Sequence, residues 1–504
     1  MDVSMALGIC WGVKVRGSRR LKCGEPVDDP RIIEETMKLI NEFINRVEKH
    51  RAILLSDSNT PFDNAINALN NWLRRIEAKV EEDNDEGIAN LRRAMLNVGG
   101  KMLELVEEAR KRWLSTYRRE LEELVEKLRS GDVKVTMNGE PFDGNKSFTA
   151  HLYTENLAIT IDRVAKSRNV TIQISLTGLK GTHVVTPRLF DDGRLRAMQC
   201  GLLLTDGSID KEGYPTMSTA QLWQVIAWLI AWPGKNRIRI HGLSLNDGDV
   251  SVTWQLRAVD HKGVFENKPE VAKATSKLGD EEFPPFLLYV ILGDGDVNVE
   301  EKSVRLYMGR SKLELWGGII DRLEGLGFRR KDGGYRVVYV VRYSKAIELA
   351  KKMLSEPSIK ALIEDLSQLP DAEKPRRLIT LASIVPKPKG RSSIEVAGMR
   401  MSIHVYNSGA VELRARRWNY EDVISIQERL KGAGYNAELR SLSRYFEVYI
   451  CHSDVKKRPE LVAKACEVLK RMHEEAANEG KGERAWLIAR AMVRLNCPAQ
   501  SPRT

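Results

Sequence analysis

Asp206 and Asp294 are the residues whose setting most invites chemistry. Each closes an apolar run and is followed at once by glycine: Gln199-Cys-Gly-Leu-Leu-Leu-Thr-Asp206-Gly207 and Leu287-Leu-Tyr-Val-Ile-Leu-Gly-Asp294-Gly295. Runs of this kind form buried helices, and a glycine in the left-handed conformation is a common helix stop. A carboxylate at that end opposes the helix dipole, so it needs a compensating cation. Two such helices packed side by side would bring the carboxylates together. Paired carboxylates bind hard divalent cations such as magnesium. A metal held that way activates water and stabilises the leaving oxygen of a phosphodiester. Asp206 and Asp294 are therefore the candidate catalytic residues and metal ligands, with magnesium as the candidate cofactor. A core helix with a capped end is the competing reading of either run taken alone.

The elements that would position this pair repeat along the chain. Behind Asp206 the patterning predicts a polar strand, a helix over 220–232, strands at 237–241 and 250–259, and a helix near 269–278. Behind Asp294 it predicts a strand over 303–308, a helix over 313–326, a strand pair ending in 335–343 and a helix over 345–354. A third stretch lacks the opening helix. It keeps strands at 399–406 and 410–416, a helix over 420–430, strands at 437–440 and 445–451, and a helix over 459–473. Leu323-Glu-Gly-Leu-Gly-Phe328 matches Leu430-Lys-Gly-Ala-Gly-Tyr435, a glycine stop followed by a strand-opening aromatic.

Residues 28–132 read as helical throughout, with apolar residues at helical spacing over 31–54, 62–80 and 87–128. This predicts a bundle or a coiled-coil arm, a surface suited to self-association. The expected organisation is an irregular N-terminus (1–27), the helical arm (28–132), a small β-rich segment (133–189) and three later units (190–281, 282–390 with a helical extension, and 391–504 with C-terminal helices). The fold class is α+β, with tandem αββαββα units and curved antiparallel sheets.

The two aspartate runs resemble the LAGLIDADG motif of homing endonucleases, and the element order behind each is similar to that family's half-domain. The resemblance covers roughly residues 190–355. The 88 residues between the aspartates suit two tandem half-domains. It implies two motif helices packed at a pseudo-twofold axis, and a divalent metal on the acidic residue before each motif's last glycine, here Asp206 and Asp294. It also implies a curved sheet riding in the major groove of double-stranded DNA. The sequence departs from the motif at Leu204 and Leu292, where the family carries an earlier aspartate. It departs again at Leu288-Tyr289, where the first run has the small pair Cys200-Gly201; bulk there predicts that the helices are held apart. In overall layout the chain also resembles a paralogous protein family found in repeated copies in Pyrobaculum genomes, a likeness that implies no activity.

DNA-facing candidates follow from strand alternation. Arg237, Arg239 and His241 share one strand face. Arg336 and Arg342 share another, with Val338 and Val340 between them. Arg329, Arg330 and Lys331 fall at the preceding turn, and Arg305 and Arg310 flank an earlier strand. Arginine contacts guanine edges and phosphates in the major groove; solvated faces with cross-strand ion pairs are the alternative. Arg400, His404, Arg414, Arg416, Arg417 and Arg440 repeat the theme in the third unit, while Trp223, Trp228 and Trp232 read as core.

Composition bounds the function class. Net charge is +11, yet residues 28–132 carry 18 basic and 22 acidic side chains, so the excess belongs to the later units. That excess permits a polyanionic partner. No apolar run is long enough to span a bilayer, so no membrane association is expected. Six scattered cysteines, none in Cys-x-x-Cys, indicate neither a zinc site nor a disulfide framework and fit a reducing, cytoplasmic setting, with Cys200 and Cys466 as small core residues. The load of Arg, Lys and Glu is compatible with a thermophilic source. Three readings follow: a magnesium-dependent DNA endonuclease, a DNA-binding regulator or domesticated mobile-element protein that does not cut, and an interaction protein acting through the helical arm.

Overall fold

A computed structural model describes residues 7–498 apart from 19, 144, 166–168, 334–335, 386–390 and 444. The chain is a mixed α and β protein with open sheets. It divides into two units, residues 1–385 and 386–504.

The strands of the first unit are β1 (Gly8–Val13), β2 (Lys22–Pro26), β3 (Lys134–Gly139), β4 (Phe148–Tyr153), β5 (Leu157–Arg163), β6 (Val170–Leu176), β7 (Thr182–Thr186), β8 (Gly207–Ile209), β9 (Pro215–Thr219), β10 (Gly234–Leu245) and β11 (Val250–Ala258), then β12 (Gly295–Asn298), β13 (Ser303–Met308), β14 (Arg329–Gly333) and β15 (Arg336–Arg342). The first eleven make one sheet in the order β2-β1-β3-β4-β5-β6-β10-β11-β9-β8, with β7 also on β10. The last four make a second sheet, β12-β13-β15-β14. Burial alternates along β4, β5 and β11, so these strands turn one apolar face inward and one more polar face outward.

Helix starts are legible chemically. Asp29, Asp85, Asp191 and Asn267 each accept a backbone N–H at the head of a helix. The main helices are Pro30–Lys49, Asp63–Glu82 and Glu86–Arg112, and the last runs on through a π-helical turn, Trp113–Tyr117, into Arg118–Ser130. They do not stand off as an arm. Pro30–Lys49 packs on β4, β5 and β6, and Glu86–Arg112 on β7 and β10. Phe43, Trp72 and Trp113 share one apolar core with Ile172, Trp228 and Phe286. The amphipathic stripes that suggested a bundle are the faces that cover the sheet. A buried carboxylate, Asp365, fastens the same helices: it accepts from Lys79 and from Arg92 Nε at 2.8 Å, while its carbonyl accepts from Trp72 Nε1 at 2.8 Å.

Other boundaries also differ from expectation. Residues 8–13 and 22–26 are strands joined by a Cys10–Cys23 disulfide, not irregular chain. The 133–189 segment is continuous with the sheet of β8–β11. Cys466 and Cys497 form a second disulfide, with Cα atoms 5.5 Å apart. The sequence spacing hid both bridges because each closes only in three dimensions. Trp223, Trp228 and Trp232 are buried on the nearly all-apolar helix Leu222–Ala231 and its end, as core residues.

The second unit holds β16 (Ser393–Val396), β17 (Met399–Val405), β18 (Val411–Arg417), β19 (Glu438–Ser441) and β20 (Phe446–Ile450), ordered β16-β17-β18-β20-β19. Helices Tyr420–Gly432, Pro459–Asn478 and Gly482–Arg494 complete its own core. One strand order recurs three times: β8-β9-β11-β10, β12-β13-β15-β14 and β17-β18-β20-β19.

Candidate functional site

Helices Asp192–Leu204 and Phe283–Asp294 pack directly on each other. Two glycines set the approach. A Cβ on Gly201 would lie 2.7 Å from Tyr289 Cβ and 2.8 Å from the Phe286 carbonyl oxygen; one on Gly293 would lie 2.7 Å from Thr205 Cβ. The separation expected from Leu288-Tyr289 therefore does not occur. Phe286, Tyr289, Val290 and Gly293 form one helical stripe, and Tyr289 meets Gly201 with its Cβ alone. The rest of Tyr289 is buried, and its hydroxyl has no hydrogen-bond partner among the described residues.

Gly207 and Gly295 are not left-handed helix stops. Neither has a positive φ, and each opens a strand, β8 and β12. Smallness is what these positions need: a Cβ would lie 2.9 Å from the Leu202 carbonyl oxygen at Gly207 and 2.6 Å from that of Ile291 at Gly295. Each chain thus turns sharply against its own helix end and presents the aspartate before the glycine.

The crossing brings Asp206 and Asp294 into electrostatic contact. Asp206 opens to solvent at its tip, but the protein packed behind it, then the charge of Asp294, raise its pKa above the ordinary carboxylate value. Gln224 Nε2 donates to Asp206 Oδ2 at 2.7 Å, and Thr219 Oγ1 holds the Gln224 amide from behind. Three lysines supply the cations that the helix ends require. Lys312 forms an ion pair with Asp294. Lys374 donates to the Leu292 carbonyl at 3.2 Å and to that of Gly293. Lys268 donates to the Thr205 carbonyl at 3.5 Å. Burial, more than any neighbour, lowers the pKa of Lys268 and Lys374; Lys312 lowers Lys268 further, and the aspartates oppose both shifts.

Magnesium needs oxygen ligands in near-octahedral geometry. Here one oxygen of each carboxylate and the neighbouring helix-end carbonyls already accept from Gln224, Lys312, Lys374 and Lys268. Three ammonium groups facing two carboxylates also leave no net negative charge to attract a dication. The residues as arranged do not fit a bound magnesium.

The basic candidates lie mainly on the open faces of the sheets. Arg237 is exposed on β10 and carries no ion pair among the described residues. Arg239 donates to Gln255 Oε1 at 2.7 Å through Nε. His241 is the extra residue of a bulge between Ile240 and Gly242, with its ring 3.4 Å from the Ser175 hydroxyl. A cleft of about 380 Å³ runs over this face, lined by Arg237, Arg239, Arg257 and Gln255, with Asp210 and Glu212 at its rim. Arg257 is held by Asp210 and, at 3.2 Å, by Glu212.

In the second sheet, Arg329, Arg330 and Lys331 belong to β14, not to a turn. Register places Arg329 and Lys331 beside Val340 and Val338 on the open face, with Arg330 on the opposite face beside Tyr339 and bonded to Asp332 at 2.9 Å. Arg305 lies inside β13, between Glu301 and Asp296. Arg342 is 4.0 Å from Glu301. Arg310 opens the helix Arg310–Leu315 and Arg336 opens β15, but their side chains lie outside the described residues. In the second unit, Arg414, Arg416 and Arg440 are engaged by Glu412 and Glu447 in ion pairs, within β18 for Arg414–Glu412 and across strands for the rest.

Sequence reasoning missed Lys268, Lys312 and Lys374. The requirement for a cation at a helix C-terminus was legible; which lysine met it was not. No protein-family model matches the sequence, and no curated protein is significantly similar to it. Among the described residues no helix is long and apolar enough to cross a membrane.

Proposed function

We propose that residues 190–355 are two tandem LAGLIDADG-like half-domains that bind double-stranded DNA, with the paired aspartates neutralised by lysines rather than by magnesium. One observation carries this reading: the same strand order recurs behind both helices of a glycine-tight crossing, and both sheets bear cations on their open faces that form no ion pair among the described residues. Arg237 serves one half, Arg329 and Lys331 the other. Their guanidinium and ammonium groups suit phosphates, and arginine also suits guanine edges in the major groove. Committed hydrogen bonds on Asp206 and Asp294 favour binding without strand cleavage, so a DNA-binding regulator is the better description than a nuclease.

The test is duplex binding by fluorescence anisotropy across a salt series, with magnesium or with EDTA. Removing one cation from a phosphate lowers the slope of log K against log salt by about 0.9. The triple variant Arg237→Ala/Arg329→Ala/Lys331→Ala should therefore lose about 2–3 from that slope. Binding should persist in EDTA. An unchanged slope refutes the interface. Plasmid nicking that needs magnesium and disappears in Asp206→Asn and Asp294→Asn refutes the non-cleaving assignment.

A further inference from the structure

The second unit carries a surface that duplex binding by the first does not use. On the open face of its sheet, Arg414 lies opposite Tyr449, and Glu447 lies opposite both Arg416 and Arg440. Glu412 and Glu447 are only 5% and 0% exposed although the face is open, because guanidinium groups cover them. Buried charge-assisted hydrogen bonds of this kind fix the arginine planes.

Each guanidinium also lies over an aromatic ring: Arg414 over Tyr406 at 5.1 Å, Arg416 over Tyr445 at 4.9 Å and Arg440 over Tyr449 at 4.4 Å. The Arg416–Tyr445 pair continues to Trp418, with ring centroids 6.4 Å apart. Trp418 is 79% exposed, the largest apolar surface an aromatic of this unit offers to solvent. Arg400 is exposed on the same face, opposite Glu395; the four arginines of the face are matched by Glu395, Glu412, Glu438 and Glu447, and the positive charge belongs to the unit as a whole, whose residues 386–504 carry 22 basic and 14 acidic side chains.

Fixed cation planes and exposed rings on one sheet face of a basic unit meet the requirements of a stacking platform. Base pairs inside a duplex hide their faces from such a platform, whereas an unpaired strand offers them. We infer that this face binds single-stranded DNA, with bases stacking on Trp418 and on the ring–guanidinium pairs and phosphates meeting Arg400. The choice of DNA over RNA rests on the duplex-binding reading of the first unit; the stacking surface does not.

The full chain is titrated into labelled oligothymidylate of about 20 nucleotides, the matching oligouridylate and a duplex, at about 50 mM salt. Trp418→Ala should weaken oligothymidylate binding about tenfold and leave duplex affinity unchanged. Trp418→Phe should recover part of the loss. Arg400→Ala, at a second exposed position of the face, should weaken binding and flatten its salt dependence. The first-unit triple variant should do the reverse, losing duplex and keeping oligothymidylate, so failure of either reading is seen separately. Wild-type affinity in Trp418→Ala, a preference for oligouridylate, or no single-strand binding at all would overturn the inference.

Discussion

Replacing Gly201 by alanine tests the helix crossing on which the aspartate pair depends. The added methyl would sit 2.7 Å from Tyr289 Cβ and 2.8 Å from the Phe286 carbonyl oxygen. Carbon contacts settle near 3.5–4.0 Å, so the shortfall is about 1 Å. Neither obstacle is the free end of a flexible side chain, so the helices themselves must separate. Overpacking of that kind costs about 1–3 kcal/mol. Alanine's helix preference over glycine returns about 0.5–1 kcal/mol, leaving a net loss of about 1–2 kcal/mol. Gly100 supplies the control. It lies inside the helix Glu86–Arg112, and a Cβ there meets nothing within 4 Å. Gly100→Ala should therefore stabilise by about 0.5–1 kcal/mol. The two variants carry the same chemical change with opposite signs, read by urea unfolding side by side. If Gly201→Ala is neutral or stabilising, the helices are not in backbone contact and the paired site fails with them.

Three further outcomes follow from the same structure. Asp365→Ala strips the shared partner from Lys79 and Arg92 and should cost about 3–5 kcal/mol in urea unfolding, as expected when one partner of a buried ion pair is removed; a loss under 1 kcal/mol would mean the helices are not fastened there. Tyr289→Phe removes a buried hydroxyl that has no hydrogen-bond partner among the described residues and should gain about 1 kcal/mol, so a loss of that size would reveal an unrecognised partner. Asp206 has a pKa raised above its ordinary 3.8, so its contribution to stability is full below that value and is lost as pH rises through the raised one. Asp206→Asn should accordingly gain on wild type over that rise, and a gap independent of pH would contradict the shift.

How much of this was readable in the sequence depends on range. The apolar runs ending at Asp206 and Asp294 announce their helices, because periodicity and composition are local. The succession of strands and helices behind each was legible for the same reason, whereas their order within the sheets was not. Residues 30–130 gave correct helices but the wrong partner: an amphipathic stripe shows that a face is buried, not whether it is buried by another helix or by a sheet. Arg329, Arg330 and Lys331 read as a turn but are consecutive residues of β14, so Arg330 faces away from its two neighbours. Tyr289 looked too large for a helix crossing because side-chain volume was read without direction; only its Cβ enters the contact.

The lysines around the aspartates show the limit most clearly, and they carry a consequence. Lys312 is 18 residues from Asp294, Lys268 is 63 from Thr205 and Lys374 is 81 from Gly293, beyond any helical or strand period. Each comes from a different helix, so only the folded chain assembles them. If these ammonium groups stand where a metal would, removing them must create a metal site. In Lys312→Ala/Lys374→Ala, Asp294 and the Leu292 and Gly293 carbonyls lose their donors. Two carboxylates then face one remaining lysine, and a dication becomes the nearest source of compensating charge. Magnesium at tenfold excess over its Kd would stabilise that variant by about 1.4 kcal/mol. Wild type should show no magnesium stabilisation beyond that of sodium at matched ionic strength. Thermal unfolding with both salts reads the difference directly. Stabilisation of wild type by magnesium, absent in the double variant, would mean that the lysines assist a metal instead of replacing it.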